Sequence, residues 1–78
     1  MASSLQIRAA RFLLGWSQKT LAGKANVSCN TVGRVESGYA LRAATMTALE
    51  RALVRAGIRF IAGDDHHGEG VRLARPDM

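Results

Sequence analysis

The sequence predicts a mainly α-helical domain of four helices followed by a C-terminal β-hairpin, and three observations support this prediction. Apolar residues recur every three or four positions over most of residues 7–53, which is the period of an amphipathic helix. Two amphipathic segments within residues 18–37 are joined only by Ala25-Asn26-Val27, a connection short enough to favour two crossing helices. After Gly57 the apolar period becomes alternating, as it is in strands.

The first helix is expected to begin after Ser3 or Ser4, because either hydroxyl can cap the first turn, and to end near Gly15. Its spacing predicts a short aliphatic stripe on the buried side, formed by Ile7, Ala10 and Leu14.

The second helix is expected to begin after Ser17, a suitable N-cap, with Trp16 packed on Leu21 as a hydrophobic staple. Ala22 is small at a position where a large side chain would push the two central helices apart. Asn26 is expected to end this helix in the left-handed conformation, which costs asparagine less than most residues.

The third helix is expected to begin after Ser28 and to end before Gly38, a favourable residue for a helix C-terminus. Val32 and Val35 lie on its apolar side. The opposite side is polar and wide, and it consists of Ser28, Cys29, Asn30, Gly33, Arg34 and Ser37. A polar face of this width predicts a hydrogen-bonding partner outside the chain.

The fourth helix is expected to span about residues 43–56 and to bury a stripe of Met46, Leu49, Ala52 and Leu53. Residues 58–62 (IRFIA) and 71–75 (VRLAR) then alternate on either side of a polar stretch, which predicts a β-hairpin. The residues expected to face inward are Ile58, Phe60, Val71 and Leu73. Those expected to face water are Arg59, Arg72 and Arg75. Because an isolated hairpin is marginal in water, the strands should pack on the fourth helix or on a second subunit.

Length, composition and charge limit the classes of function. A chain of 78 residues makes one small domain with a modest core, so we expect an oligomer. Residues 1–59 hold nine basic and two acidic residues, a net charge of +7, whereas residues 60–78 hold two and four, a net charge of −2. The cationic helical part suits a polyanion. A single cysteine, a start unlike a signal peptide and no apolar run near the ~18 residues of a membrane span predict a cytoplasmic protein.

The order of features from Arg8 to Leu53 resembles the Cro and lambda-repressor-like family of bacterial and phage DNA-binding domains, also called the xenobiotic-response-element (XRE) family. The residues that carry the resemblance are Arg11, the LGWSQ run at residues 14–18, Leu21-Ala22, Val27-Ser28, Val32 and Val35-Glu36-Ser37-Gly38. It implies a four-helix lambda-repressor-like domain over residues 1–57, with its helix-turn-helix at residues 18–37. The hairpin at residues 58–75 resembles a tail on short, stand-alone members, and residues 76–78 would follow it as a tail.

The resemblance also implies roles for the polar positions. The third-helix residues that match base-reading positions are Cys29, Asn30 and Arg34, with Ser28, Gly33 and Ser37 beside them. Arg34 suits guanine and Asn30 suits adenine, whereas Cys29 departs from the polar residues usual at its position. The residues expected at DNA phosphates are Gln18, which matches a backbone clamp, and Lys19, Lys24, Tyr39 and Arg42. Arg11 and Glu36 match an ion pair that joins the first helix to the end of the third.

Three features have alternative interpretations. Gly33 costs about 1 kcal/mol of helix propensity, which either close approach to DNA or simple tolerance explains. Cys29, near a helix N-terminus, could sense oxidants, although a small residue filling a helix start is the commoner case. The ligand-type residues Asp64, Asp65, His66, His67 and Glu69 fit no zinc spacing, so we expect a solvated loop without metal. No nucleophile, base and orienting group can be assembled, so the sequence predicts no cofactor and no catalysis.

These features predict a transcriptional regulator, most simply a repressor, that binds a palindromic operator in double-stranded DNA as a homodimer. The residues expected at the dimer surface are Leu53, Val54, Phe60, Val71 and Leu73, because they lie away from the polar face of the third helix. The alternative is a protein-binding module, such as an antitoxin or anti-activator, that uses its acidic and apolar C-terminal segment to mask a toxin or activator. The sequence does not separate the two.

Overall fold

The computed structural model describes residues 2–39 and 41–74 of the chain. Its elements are, in chain order, α1 (Ser4–Leu13), α2 (Gln18–Ala25), α3 (Cys29–Glu36), α4 (Ala43–Arg55), β1 (Ile58–Ile61) and β2 (Gly70–Leu73). The predicted mainly helical fold with a C-terminal hairpin is therefore confirmed. The predicted outward position of Arg75 and the predicted tail fall outside the described residues. None of the helices in the described part has the length and apolarity that crossing a bilayer requires.

Serine caps begin the first three helices. Of the two candidates before α1, Ser3 is the cap: its hydroxyl accepts from the Gln6 amide at 3.2 Å, and the Gln6 side-chain oxygen accepts from the Ser3 amide at 2.9 Å. This reciprocal pair is a capping box. Ser17 and Ser28 cap α2 and α3 as predicted, each accepting from the amide three residues later.

Left-handed residues end the helices where the sequence predicts turns. Asn26, at φ 57° and ψ 45°, follows α2, so that only Asn26, Val27 and Ser28 separate α2 from α3. Gly38, at φ 92°, follows α3, where a side chain would be strained. These two turns set the crossing of α2 and α3 and the direction in which the chain leaves α3.

The core lies between the helices and is filled by aliphatic side chains. The largest fully buried ones are Ile7, Leu21, Val32, Val35, Leu49 and Leu53. The prediction that Leu53 forms part of a dimer surface is therefore wrong. Leu53 belongs to the inward stripe of α4 and has no exposed area to offer a second subunit.

The antiparallel hairpin packs one face against the helices. Ile58 is opposite Leu73, and Phe60 is opposite Val71. Ile58 is buried and the Phe60–Val71 pair is half-buried against the core, as predicted. Leu73 is 51% exposed, so its predicted inward position is wrong. It shares the face of Ile58 but lies where the helices do not cover the sheet.

A buried glutamine attaches this hairpin to α1. The Gln6 side-chain amide donates to the carbonyl oxygens of Ile61 at 3.0 Å and Gly70 at 2.9 Å, one on each strand. Gln6 is only 7% exposed, and all of its side-chain polar atoms are used once the capping box is included. The same residue therefore starts α1 and fixes the hairpin beside it.

Candidate nucleic-acid interface

Helix α3 has a buried side and an exposed polar side. Val32 and Val35 are completely buried, which holds the helix against the core. The opposite surface, which we call the α3 polar face, consists of Cys29, Asn30, Gly33, Arg34 and Ser37. All of its members are exposed except Gly33, which is half-buried. Since Val32 and Val35 fix the rotation of the helix, the polar face is directed to solvent.

Two residues from outside the α3 polar face extend it into one shallow, open depression. It is lined by Gln18, Cys29, Asn30, Gly33, Arg34, Ser37 and Tyr39. Gln18 is the first residue of α2, and Tyr39 follows the turn after α3. The structure thus brings together five of the six predicted base-reading positions and two of the five predicted phosphate-contacting positions.

The other predicted DNA contacts lie outside the depression. Ser28 caps α3, so its oxygen already accepts from the Thr31 amide at 3.1 Å. Lys19 and Arg42 are exposed, the latter just before α4. Lys24 lines a cleft with Trp16 and the C-terminal end of α4, and its ammonium lies 5.7 Å from the centre of the Trp16 ring.

Arg11 and Glu36 form a buried ion pair below the polar face. The Arg11 Nε donates to Glu36 Oε2 at 2.7 Å, and a terminal nitrogen of Arg11 donates to Oε1 at 2.8 Å. The other terminal nitrogen donates to the carbonyl oxygen of Trp16 at 2.9 Å. This two-bond geometry is specific to a guanidinium and fixes the end of α3 relative to α1 and the α1–α2 turn.

Gln18 joins the pair from α2. Its side-chain amide donates to Glu36 Oε1 at 3.2 Å. Arg11, Glu36 and Gln18 therefore form one network, which we call the orientation network, with one member on each of α1, α3 and α2. Gln18 also lines the depression, so the network reaches the surface at the N-terminus of α2.

The charges of the orientation network are stabilised by its hydrogen bonds. Burial alone would raise the pKa of the Glu36 carboxyl, but the hydrogen bonds from Arg11 and Gln18 and the positive charges of Arg11 and Arg8 outweigh burial and lower it. The hydrogen bond to Glu36 raises the pKa of Arg11. Glu36 and Arg11 are therefore both ionised at neutral pH.

The structure leaves room for a side chain at the position of Gly33. A Cβ built on Gly33 would have the Gln18 side-chain oxygen as its nearest neighbour, at 3.6 Å, which is an ordinary van der Waals distance. Gly33 also has helical backbone angles rather than a positive φ. Nothing inside the described residues requires glycine at this position.

Sequence reasoning missed two features of this side of the molecule. Gln6 was not recognised as a capping-box and hairpin residue, although Ser3 and Gln6 match the S-x-x-Q signature of a capping box. The second missed feature is a group of exposed apolar side chains on the outer side of α1. They are Leu5, Ala9, Phe12 and Leu13, with 73% of Leu5 and 62% of Phe12 exposed.

The acidic loop of the hairpin is solvated. Asp64 accepts from the amides of His66 at 2.8 Å and His67 at 2.7 Å, which lowers the pKa of Asp64 and forms a local turn. Within residues 2–39 and 41–74, no group of three or more His, Cys, Asp or Glu side chains is placed to hold a metal ion.

Comparison with known families identifies the domain. A family model described as helix-turn-helix matches residues 7–53, which are 47 of the 78 residues. This chain belongs to the Cro/C1-type helix-turn-helix family, the XRE family. The family is one of DNA-binding regulators and not of enzymes. The match covers most of α1, all of α2 and α3 and most of α4, and it includes every residue of the orientation network and of the α3 polar face. No curated protein matches the chain significantly.

Proposed function

We propose that this chain is a transcriptional regulator, most simply a repressor, which inserts α3 into the major groove of a palindromic operator as a homodimer. The observation that carries the proposal is the α3 polar face, exposed as one surface with Gln18 and held from behind by the orientation network. An α-helix fits the major groove, where each base pair presents a distinct pattern of donors and acceptors.

The side chains of the face fit this task. The guanidinium of Arg34 offers two donors to guanine, and the Asn30 amide offers a donor and an acceptor to adenine. Cys29, at the first turn of α3, presents a small side chain to the groove. Gln18, at the N-terminus of α2, lies where free backbone amides and the helix dipole favour a phosphate. The exposed cations Lys19, Lys24 and Arg42 would add salt-sensitive attraction to the DNA backbone, where Tyr39 adds a hydroxyl.

The hairpin and α4 supply the proposed dimer surface, revised by the burial of Leu53. Val54 and Leu73 are about half-exposed, and Phe60 and Val71 are half-buried beside them along the hairpin. Arg59 and Arg72, directly opposite each other on the outer face of the hairpin, point away from these residues and are not part of the proposed surface.

Selection of binding sites from a random duplex library tests the proposal. The experiment uses the full chain at near-physiological salt, so that nonspecific phosphate contacts do not dominate. The proposal predicts an enriched palindrome whose half-sites have centres ~34 Å apart, one turn of DNA. Weak, salt-sensitive binding without an enriched motif would contradict it. Because operator binding would keep the chain on DNA, the proposal includes a cytoplasmic, nucleoid-associated location.

The exposed outer side of α1 favours a second function, binding to a protein such as a toxin or activator. Leu5, Ala9, Phe12 and Leu13 form a largely exposed apolar stripe, in which the Arg11 and Arg8 guanidinium carbons lie 4.5 and 6.0 Å from the centre of the Phe12 ring. Stripes of this kind are used in protein contacts. Copurification of the native chain and its Phe12→Ser variant with the product of the adjacent gene tests this function. A complex that the substitution abolishes supports it, and the absence of any complex contradicts it.

A further inference from the structure

The backbone at the end of α3 brings Arg34 and Tyr39 together. The Tyr39 amide donates to the Arg34 carbonyl oxygen at 3.0 Å, and the Gly38 amide donates to that of Val35, also at 3.0 Å. These are the two hydrogen bonds of a Schellman motif, with Gly38 as its left-handed residue. In this motif the second residue beyond the cap, here Tyr39, usually makes an apolar contact with the residue whose carbonyl oxygen accepts its amide, here Arg34.

In this chain the contact joins a cation and an aromatic ring. The Arg34 guanidinium carbon lies 5.3 Å from the centre of the Tyr39 ring, within the range of a cation–π interaction. Tyr39 is 59% exposed, so its ring is not committed to the core. Both side chains line the depression that contains the α3 polar face. The stacking therefore occurs on the surface proposed to meet DNA.

Stacking reduces the conformational freedom that the Arg34 side chain loses when it binds DNA. A free arginine side chain occupies many rotamers, and fixing it on a base loses that freedom. A guanidinium already held against a ring has lost part of it, so less remains to be lost in the complex. The plane of the guanidinium matters as well, because two parallel donors must meet O6 and N7 of one guanine.

We propose that Tyr39 is a positioning residue for Arg34, and that its ring sharpens the preference for guanine at the single base pair that Arg34 contacts. The inference rests on the proposed function, since it requires Arg34 to reach a base. The proposal gives the ring and the hydroxyl of Tyr39 different roles. The ring acts through Arg34, whereas the hydroxyl is free to contact a phosphate.

Two substitutions at Tyr39 test this separation. Tyr39→Phe keeps the ring and removes the hydroxyl, and Tyr39→Leu removes the ring from an exposed site. Binding is measured to the selected operator and to its variants at the base pair where Arg34→Ala loses preference. Tyr39→Phe should keep the wild-type preference there. Tyr39→Leu should reduce it roughly two- to fivefold, with preferences at all other positions unchanged. In the Arg34→Ala background, Tyr39→Leu should change the preference at that base pair no further.

The contradicting results are distinct from those for the proposed function. If Tyr39→Leu keeps the guanine preference, or if both Tyr39 variants only weaken all sequences equally, the positioning role is wrong and the proposed function stands. If the wild-type chain enriches no motif, both proposals are wrong. If a motif is enriched but Arg34→Ala relaxes none of its positions, only the positioning role is wrong, because Arg34 then makes no base contact to position. Denaturation midpoints of the variants should equal that of the wild type, which excludes unfolding as the cause.

Discussion

Helix α3 and the β-hairpin both present exposed side chains above a buried side, but they are held in different ways. α3 is fixed by directional bonds, two from Arg11 and one from Gln18, to the single carboxylate of Glu36. The hairpin is fixed by the Gln6 hydrogen bonds and by apolar contacts of Ile58, Phe60 and Val71. Both elements combine buried apolar side chains with hydrogen bonds, but the bonds that hold α3 are charge-assisted and converge on one carboxylate, so the position of α3 depends on a single residue, Glu36.

Breaking the orientation network should have the largest effect. Glu36→Ala leaves the buried Arg11 guanidinium without its carboxylate partner, and we expect a loss of about 3–5 kcal/mol in the free energy of unfolding. DNA affinity should fall with it, because the end of α3 loses its attachment to α1. Urea denaturation and operator binding measure the two effects. Asp65→Ala, which removes an exposed carboxylate of equal charge, should leave both unchanged. Unchanged stability of the Glu36 variant would contradict the assignment.

Removing a buried side chain from the hairpin should be nearly as destabilising but should leave the base preference unchanged. Ile58→Ala deletes a side chain that is only 3% exposed, with an expected loss of about 2–5 kcal/mol. The base preference of the folded fraction should remain that of the wild type, since Ile58 is outside the depression. Denaturation and site selection measure these outcomes. A changed sequence motif would show that the hairpin, too, orients α3.

Acid should weaken the orientation network, because protonation of Glu36 removes the negative charge that Arg11 and Gln18 stabilise. The pKa of Glu36 is lower in the folded chain than its ordinary value of 4.5, so the unfolded chain binds the proton more readily. This contribution is fully present above pH 4.5 and is lost as pH falls through the lower folded pKa. Denaturation midpoints between neutral pH and pH 3 should therefore fall more steeply for the wild type than for Glu36→Gln. Parallel profiles would mean that other carboxylates dominate.

Gly33→Ala should change the stability of the fold and the affinity for DNA in opposite directions. Replacing glycine by alanine within a helix should stabilise the fold by about 1 kcal/mol, and the structure has room for the added methyl group. If DNA approaches the backbone at Gly33, operator affinity should nevertheless fall. Thermal denaturation and operator titration measure the two changes. A more stable variant that binds equally well would show that the glycine is merely tolerated.

The smallest effect on stability is expected at the exposed end of the hairpin. Leu73→Ser changes a half-exposed side chain and should alter the free energy of unfolding of the monomer by less than about 0.5 kcal/mol. It should still shift the monomer–dimer equilibrium towards monomer in sedimentation experiments. Thr47→Ser is a matched control outside the proposed surface. A wild-type chain that is monomeric with and without DNA would contradict the proposed dimer.

The sequence predicts most of the fold because its signals are local. Serine caps, Asn26 and Gly38 set helix ends through their own backbone preferences, and helical spacing identifies Met46, Leu49 and Ala52 as buried. Leu73 could not be predicted in the same way. Alternation assigns it to the face of Ile58, but its exposure depends on how far the helices extend over the sheet.

The candidate site likewise contains features that local sequence signals predict and features that depend on tertiary packing. Helical periodicity places Asn30 and Arg34 on one exposed face, and the resemblance pairs Arg11 with Glu36 before any distance is known. The bond from Gln18 to Glu36 and the stacking of Arg34 on Tyr39 could not be predicted, because both depend on rotamers and on the exact crossing of helices. Lys24 shows the same limit: its charge suits a phosphate, yet the fold places it over Trp16.

The most direct test of the account compares binding-site preferences of Arg34→Ala and Lys19→Ala with those of the wild type. Arg34 lies on the α3 polar face, whereas Lys19 is an exposed cation of α2 outside the depression. Arg34→Ala should cost about 1–3 kcal/mol and relax the preference at one base pair of each half-site. Lys19→Ala should weaken all sequences about equally and flatten the salt dependence of binding. Equal, sequence-independent losses from both substitutions would contradict the claim that the α3 polar face reads bases.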